Sequence, residues 1–299
     1  MSSLTLYALV VLFWGTSWLG ITFQLGAVAP EVSVAYRFVL ASAMLMAWCR
    51  WRRLPMRFSL RAHGQMALMG IFLFGLNYIG FYLAIGHIPS GLAAVAFSTI
   101  VIMNILLGAL FLRSPIRPRV VAGAVIGLAG ITLVFWNDVS AFGVLGAGLI
   151  GFAWSMMATL FASVGNIISA ASQRQGLPVV QANAYSMCYG GLLTLAIVAV
   201  RGVPLHFEWT VSYVGSLLYL AIFASVLGFT FYLTLLGRIG ADRAAYATVL
   251  FPIVALTLST VFEGYEWTML SLIGVVVVLA GNLLVLSRLG APGVVRAGV

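Results

Sequence analysis

Arg37 is the first residue to raise a chemical question. In "VAYRFVLASAMLM" (34–46) it sits among side chains suited to lipid or to a dry core. Three fates are open to a guanidinium there. Its long stem can run toward the headgroups at the near helix end, its charge can cap carbonyls or pair with Glu31 or Glu263 inside the bundle, or it can meet a carboxylate carried by a small molecule. It lies seven residues past Pro30, so about 10 Å below that helix end, a depth compatible with all three. On the first two readings Arg37 is a gating or structural charge; on the third it is a contact.

The aromatic residues come next. Trp14 and Trp18 are spaced i,i+4, as are Tyr78 and Tyr82, so each pair shares one helix face. Asn77 adjoins Tyr78 in mid-segment, where a polar group wants a partner or a wet cavity. With Ser98, Trp154, Met157 and Tyr246 they make a candidate substrate-binding set: Trp14, Trp18, Asn77, Tyr78, Tyr82, Ser98, Trp154, Met157 and Tyr246. Plainer roles compete at several positions. Trp18 fits an interfacial belt, Asn77 fits helix-to-helix hydrogen bonding, and Ser98 and Thr99 can bond back to their own helix. His87, in "GHIPSG", reads as a polar turn residue, and Asp242 as a helix cap that can pair with Arg238.

What is missing narrows the chemistry. The chain has no lysine, so neither a Walker A loop nor a Schiff base can form, and no ATP is expected to bind. No His, Cys, Asp or Glu cluster has metal-ligand spacing, and no nucleophile converges on a base. No metal, cofactor or enzymatic activity is expected. All six acids fall near segment ends, which disfavours proton antiport through a buried carboxylate.

These residues must be positioned by helices in a bilayer. The chain of 299 residues is 63% hydrophobic and 7% charged, too apolar for a soluble domain that needs a polar shell. Ten segments approach the length of about 20 apolar residues that a span requires: 4–26, 30–50, 63–86, 89–112, 118–136, 143–170, 178–200, 210–236, 243–262 and 267–287. The fold class expected is therefore all-α integral membrane. The net charge of +9 would suggest nucleic acid in a soluble protein, but here it reports topology. With the N-terminus in the cytoplasm, thirteen arginines fall inside, only Arg201 falls outside, and five of six acids fall outside. Both termini are then cytoplasmic. The first 30 residues carry no charged side chain, so no cleaved signal peptide is expected. Cys49 and Cys188 read as packing residues.

The two halves of the chain repeat one pattern. "GLAAVA" (91–96) matches "DRAAYA" (242–247), and "GAVIGLAG" (123–130) matches "GVVVVLAG" (274–281), both at a displacement of 151. "FYL" recurs at 81 and 231, "GHI" at 86 matches "GRI" at 237, and Pro30 and Pro178 each open a span. Five spans per copy, an odd number, mean that the second copy enters the membrane from the opposite side. Residues 1–137 and 138–299 are thus expected as two inverted-topology units of one compact transport body. Gly123 with Gly127, and Gly143 with Ala147 and Gly151, form small-residue faces for close helix packing.

Taken in order, the early "W-G/S", the "YRF…A" of the second helix and the "G-x6-G" of the fifth resemble the drug/metabolite transporter superfamily. More closely, the chain resembles ten-helix exporters with two EamA-type repeats, YddG-type amino-acid exporters being nearest. The resemblance implies a secondary transporter in a bacterial inner membrane, exporting small neutral or zwitterionic metabolites, amino acids foremost. Alternating access needs no partner beyond substrate and lipid bilayer, and a substrate gradient alone could drive it. Multidrug or organic-cation efflux is the alternative within the fold; a lipid-handling protein or membrane enzyme is the alternative outside it. Relatives often carry a proline midway along the fourth helix of each repeat. Pro252 fits, but Val101 stands at the first-half position and predicts a straighter helix there. A glutamate often closes that helix; Glu263 fits, whereas the first half reads "FLRSP".

Overall fold

The computed structural model describes residues 1–113, 118–136, 146–232 and 247–286. In a hydrocarbon slab every backbone N–H and C=O must be satisfied within the protein, and uninterrupted apolar runs meet that demand as helices. Among the described residues seven helices are long and apolar enough to cross a membrane: α1 (Ser3–Thr22), α2 (Pro30–Trp51), α3 (Leu60–Ile85), α4 (Ser90–Leu112), α6 (Ala147–Arg174), α7 (Val179–Val200) and α8 (Val211–Tyr232). Three shorter apolar helices accompany them among the described residues: α5 (Pro118–Val134), α9 (Ala247–Phe262) and α10 (Met269–Leu286). Parts of the expected sixth, eighth, ninth and tenth spans lie outside the described residues.

Helix ends follow from local chemistry. Ser2, Ser59 and Thr210 each accept a hydrogen bond from the backbone N–H three residues on, at 3.1 to 3.3 Å, satisfying a donor that the first turn leaves free. Pro30 opens α2, where its missing N–H costs nothing. At the end of α6, Gly176 takes a left-handed φ of 82°. Its N–H bonds Gln173 O and the next N–H, of Leu177, bonds Ser172 O, so two free carbonyls are capped by a turn that only glycine makes without strain.

Two helices are not regular. α3 carries a π-helical segment at Gly70–Leu76, and α8 carries another at Leu220–Leu227, one repeat displacement later. α4 is broken at Ser98 and Thr99, between Ser90–Phe97 and Ile100–Leu112. This corrects the expectation of a straighter helix in the absence of proline. The Ser98 and Thr99 hydroxyls bond the carbonyls of Val95 (2.6 Å) and Ala96 (2.7 Å), offering the backbone an alternative to the helical ladder.

Glycines set a close contact between α5 and α10. A Cβ on Gly130 would lie 2.8 Å from Gly274 O, and one on Gly274 would lie 2.7 Å from Gly130 O. A Cβ on Gly281 would lie 2.8 Å from Gly123 O. The pairs run in opposite directions along the two helices, so α5 and α10 are antiparallel with backbones in van der Waals contact, the small-residue packing that membranes favour. α2 and α7 are likewise antiparallel: Ser42 Oγ bonds Ala184 O (2.8 Å), Gly191 packs on Val39, and Arg201 meets Glu31. The main core gathers Phe38, Phe74, Phe81, Tyr82, Leu220, Phe251 and Leu256 from α2, α3, α8 and α9.

Candidate functional site

The α2 face that meets α8 carries Ser33 and, one turn further, Arg37. Arg37 is 1% exposed. Its Nε donates to Ser225 Oγ in the π segment of α8 at 3.1 Å. The guanidinium carbon lies 4.5 Å from the centre of the Tyr78 ring and 5.2 Å from that of Phe38. Nη1 is buried without a hydrogen-bond partner, and so is the hydroxyl of Tyr82, which sits within electrostatic reach of the guanidinium.

Its bond to Ser225 fits a gating or structural charge, but two of the contacts open to Arg37 are not made. It does not run to the headgroups, because it is enclosed by α2, α3 and α8. Nor does it pair with Glu31 or Glu263. Glu31 lies six residues earlier on α2, about 1.7 turns, which points it to another side of the helix. It is taken by Arg201 Nη1 at 2.7 Å. An enclosed guanidinium without a carboxylate costs several kcal/mol. The two ring contacts return about 0.5–2 kcal/mol each, and the bond to Ser225 about 1.5–3 kcal/mol.

Glu263 closes α9 at one end of the bundle, tying three helices together. Its carboxylate accepts from Thr22 Oγ1 at the end of α1 (2.7 Å), and from the N–H (3.0 Å) and hydroxyl (2.8 Å) of Ser90, the first residue of α4. The hydroxyl of Ser259, one turn back on α9, donates to it as well. The first turn of α4 also presents its positive dipole end to this anion.

The aromatic candidates divide into two groups. Trp18 packs on Phe81 (4.9 Å between centres), Phe97 and Phe251. Trp14 joins the Arg37 group through a ladder in which Tyr78 packs on Phe38, Phe38 on Phe74, Phe74 on Phe229 and Phe229 on Trp14, at 4.6 to 5.4 Å. The Trp14 indole N–H also donates to Ala224 O at 3.1 Å, a carbonyl within the π segment. Gly228 makes room for the indole, since a Cβ there would lie 2.7 Å from Trp14 Nε1.

Asn77 donates to Leu73 O at 3.0 Å and so serves the other π segment, while its Oδ1 is buried without a partner. Ser98 is buried and bonded back to Val95 O. Trp154 is half-buried on α6, where its carbonyl faces Gly80. Met157 does not join the interior. It is 47% exposed and lines a laterally open apolar groove with Met103, Leu106, Leu107, Ala153, Met156 and Leu160. Tyr246, Asp242 and Arg238 lie outside the described residues. His87 sits exposed in the turn after α3, and Cys49 and Cys188 are free thiols.

The sequence reading missed Ser225, the hydroxyls around Glu263, and a buried network of Gln24, Ser33, Tyr213 and Ser216. In that network Gln24 Nε2 donates to Ser216 Oγ (2.6 Å) and Tyr213 O (2.9 Å), and the Ser33 and Tyr213 hydroxyls lie 2.9 Å apart. The available signal was the polar residue inside an apolar run, which singled out Asn77 but was not applied to α8.

The chain has known counterparts. A profile of the EamA-like transporter family matches twice, over residues 1–136 and 149–287. The chain belongs to that family. It is therefore a multi-pass membrane transporter of the drug/metabolite transporter superfamily. Among curated proteins it is 28% identical to the uncharacterized inner membrane transporter YedA of Escherichia coli, over 92% of this chain and 88% of that one. It is 25% identical to Protein PagO of Salmonella typhimurium (96% and 93%) and 24% identical to the uncharacterized transporter YvbV of Bacillus subtilis (98% and 94%). A solved crystal structure at 20% identity superposes with a TM-score of 0.67, covering 95% of this chain and 96% of the other, and shares the fold.

Proposed function

We propose that this EamA-family member exports small neutral or zwitterionic metabolites, amino acids first among them, across the inner membrane by alternating access. In this reading its two halves are five-helix units of opposite topology with both termini in the cytoplasm. Several features support that topology. The family profile matches twice, the π segments begin 150 residues apart, and the glycine contacts of α5 and α10 are reciprocal. On this orientation Glu263 and the Glu31–Arg201 pair lie at the outer end, where Glu263 fastens α1, α4 and α9 as an outer gate.

The observation that carries the substrate class is the distribution of charge. Among the described residues Glu31 and Glu263 stand at helix ends, while the aromatic interior around Trp14, Tyr78 and Tyr82 holds one ionised group, Arg37. That interior suits a small molecule with a carboxylate. It is a poor host for an organic cation, which would call for a deep acid. The groove at Met157 is apolar throughout and offers acyl chains a surface without a headgroup site, so it gives lipid transport little support.

Counterflow in proteoliposomes, with a panel of amino acids and cationic drugs, tests this reading. Exchange of amino acids without an imposed pH gradient is expected. Exchange confined to cations, or dependent on a pH gradient, would overturn it.

A further inference from the structure

We infer that Arg37 and Tyr82 form the subsite that receives a substrate's carboxylate. The inference rests on the transporter reading above and narrows it, because it makes a carboxylate a requirement rather than one permitted group.

Three observations converge. First, Arg37 is 1% exposed and Nη1 has no hydrogen-bond partner, although its Nε is held by Ser225. Second, Tyr82 lies one helical turn beyond Tyr78, whose ring the guanidinium covers, and its wholly buried hydroxyl turns to that same guanidinium and has no other partner. The unpaired N–H of Arg37 and a hydroxyl with no partner beyond that guanidinium can supply the two donors that the oxygens of one carboxylate would satisfy, and charge-assisted bonds of this kind are the strong ones. Third, the described carboxylates that could neutralise Arg37 are engaged elsewhere, Glu31 by Arg201 and Glu263 by Thr22, Ser90 and Ser259.

The walls agree with a small carboxylate. The Tyr78 ring lies under one face of the guanidinium and Phe38 beside it. They orient its plane and leave its edge for planar, two-point recognition. The contact that must loosen for a ligand to enter is the bond from Nε to Ser225, which joins α2 to the π segment of α8. Access to Arg37 is thereby coupled to movement between the two halves of the chain. A carboxamide presents one acceptor and no charge, so it should be rejected even when its apolar part is identical.

The test separates binding from transport. The full-length protein in detergent is melted with 3-phenylpropanoate and, separately, with 3-phenylpropanamide at equal concentration. The acid is expected to raise the melting midpoint and the amide to leave it unchanged. Tyr82→Phe, which keeps the ring, should weaken the acid's apparent affinity about ten- to a hundredfold without moving the unliganded midpoint. Arg37→Gln should abolish the acid's effect. Equal effects of acid and amide on the unmutated protein, including none from either, overturn the inference whether or not the variants fold. So does full retention of the acid's effect in Tyr82→Phe. In parallel, counterflow compares leucine and phenylalanine with their amides. If carboxylates bind but no amino acid is exchanged, the amino-acid reading falls and the subsite stands. If acid and amide exchange equally, the subsite falls and the transporter reading stands.

Discussion

Gly130→Ala tests how closely α5 and α10 are packed. An added Cβ would meet Val278 N at 2.6 Å and Gly274 O at 2.8 Å, both backbone atoms that cannot swing aside. Reaching an ordinary contact of 3.4 Å requires the helices to part by 3.4 − 2.6 = 0.8 Å. A gap of that size forfeits a quarter to a half of each dispersion contact along the seam, and overpacking of this kind costs about 1–3 kcal/mol. A clash with two fixed backbone atoms belongs in the upper half of that range, about 2–3 kcal/mol; alanine's better helix propensity offsets about 1 kcal/mol of it, leaving a net loss of about 1–2 kcal/mol. At roughly 2–4 °C per kcal/mol, the melting midpoint should fall by several degrees. Gly274→Ala needs a similar 3.4 − 2.7 = 0.7 Å and should behave alike. The double variant should lose less than the sum of the two, because the second methyl enters space the first has opened. Gly64→Ala and Gly215→Ala are the controls, since a Cβ at either helical position meets nothing within 4 Å. The assay is thermal unfolding in detergent followed by tryptophan fluorescence. If Gly130→Ala melts with the controls, or the two single variants add fully in the double, the close reciprocal contact is refuted.

Other perturbations follow from the same structure. Glu263→Gln puts an amide where four donors converge, and should lower stability by about 2–4 kcal/mol, read as a fall in melting midpoint. Arg201→Ala strips Glu31 of its partner; because Arg201 is 63% exposed, the loss should be about 1 kcal/mol and should shrink in high salt. Trp14→Phe keeps the ring contact with Phe229 but frees Ala224 O, for a loss of about 1 kcal/mol by the same melt. Met157→Leu, on the outward groove, should leave both stability and counterflow unchanged.

The helical scaffold could be read from composition because lipid allows few alternatives. Long apolar runs bounded by Arg, Pro and Gly mark their own ends, and Gly123 with Gly127 marked a face for close packing, though not that α10 would be the helix packed on it. Arg37 also stood out as a charge in an apolar run. Its partners were less visible. Glu31 and Glu263 looked available on linear grounds, but helical phase and the ends of α1, α4 and α7 assigned them elsewhere. The break in α4 was hidden because two hydroxyls do there what proline was expected to do. Met157 reads as inward from its place near Trp154, but Trp154 is itself only half-buried, at the edge of the inward face, and the further 60° or so between i and i+3 leaves Met157 47% exposed. The π segments left no mark in residue type at all.

Those segments mean that the lining is fixed partly by a count of residues. A wide turn stores one residue beyond the α-helical number, so the stretches before and after Gly70–Leu76 are offset by about 100° from an uninterrupted helix. Tyr78 and Tyr82 reach Arg37 from beyond that offset. Excising a single residue upstream would leave every lining side chain in the chain and rotate these two to a different azimuth. The length of this segment is thus as much a determinant of the pocket as the identity of any residue within it.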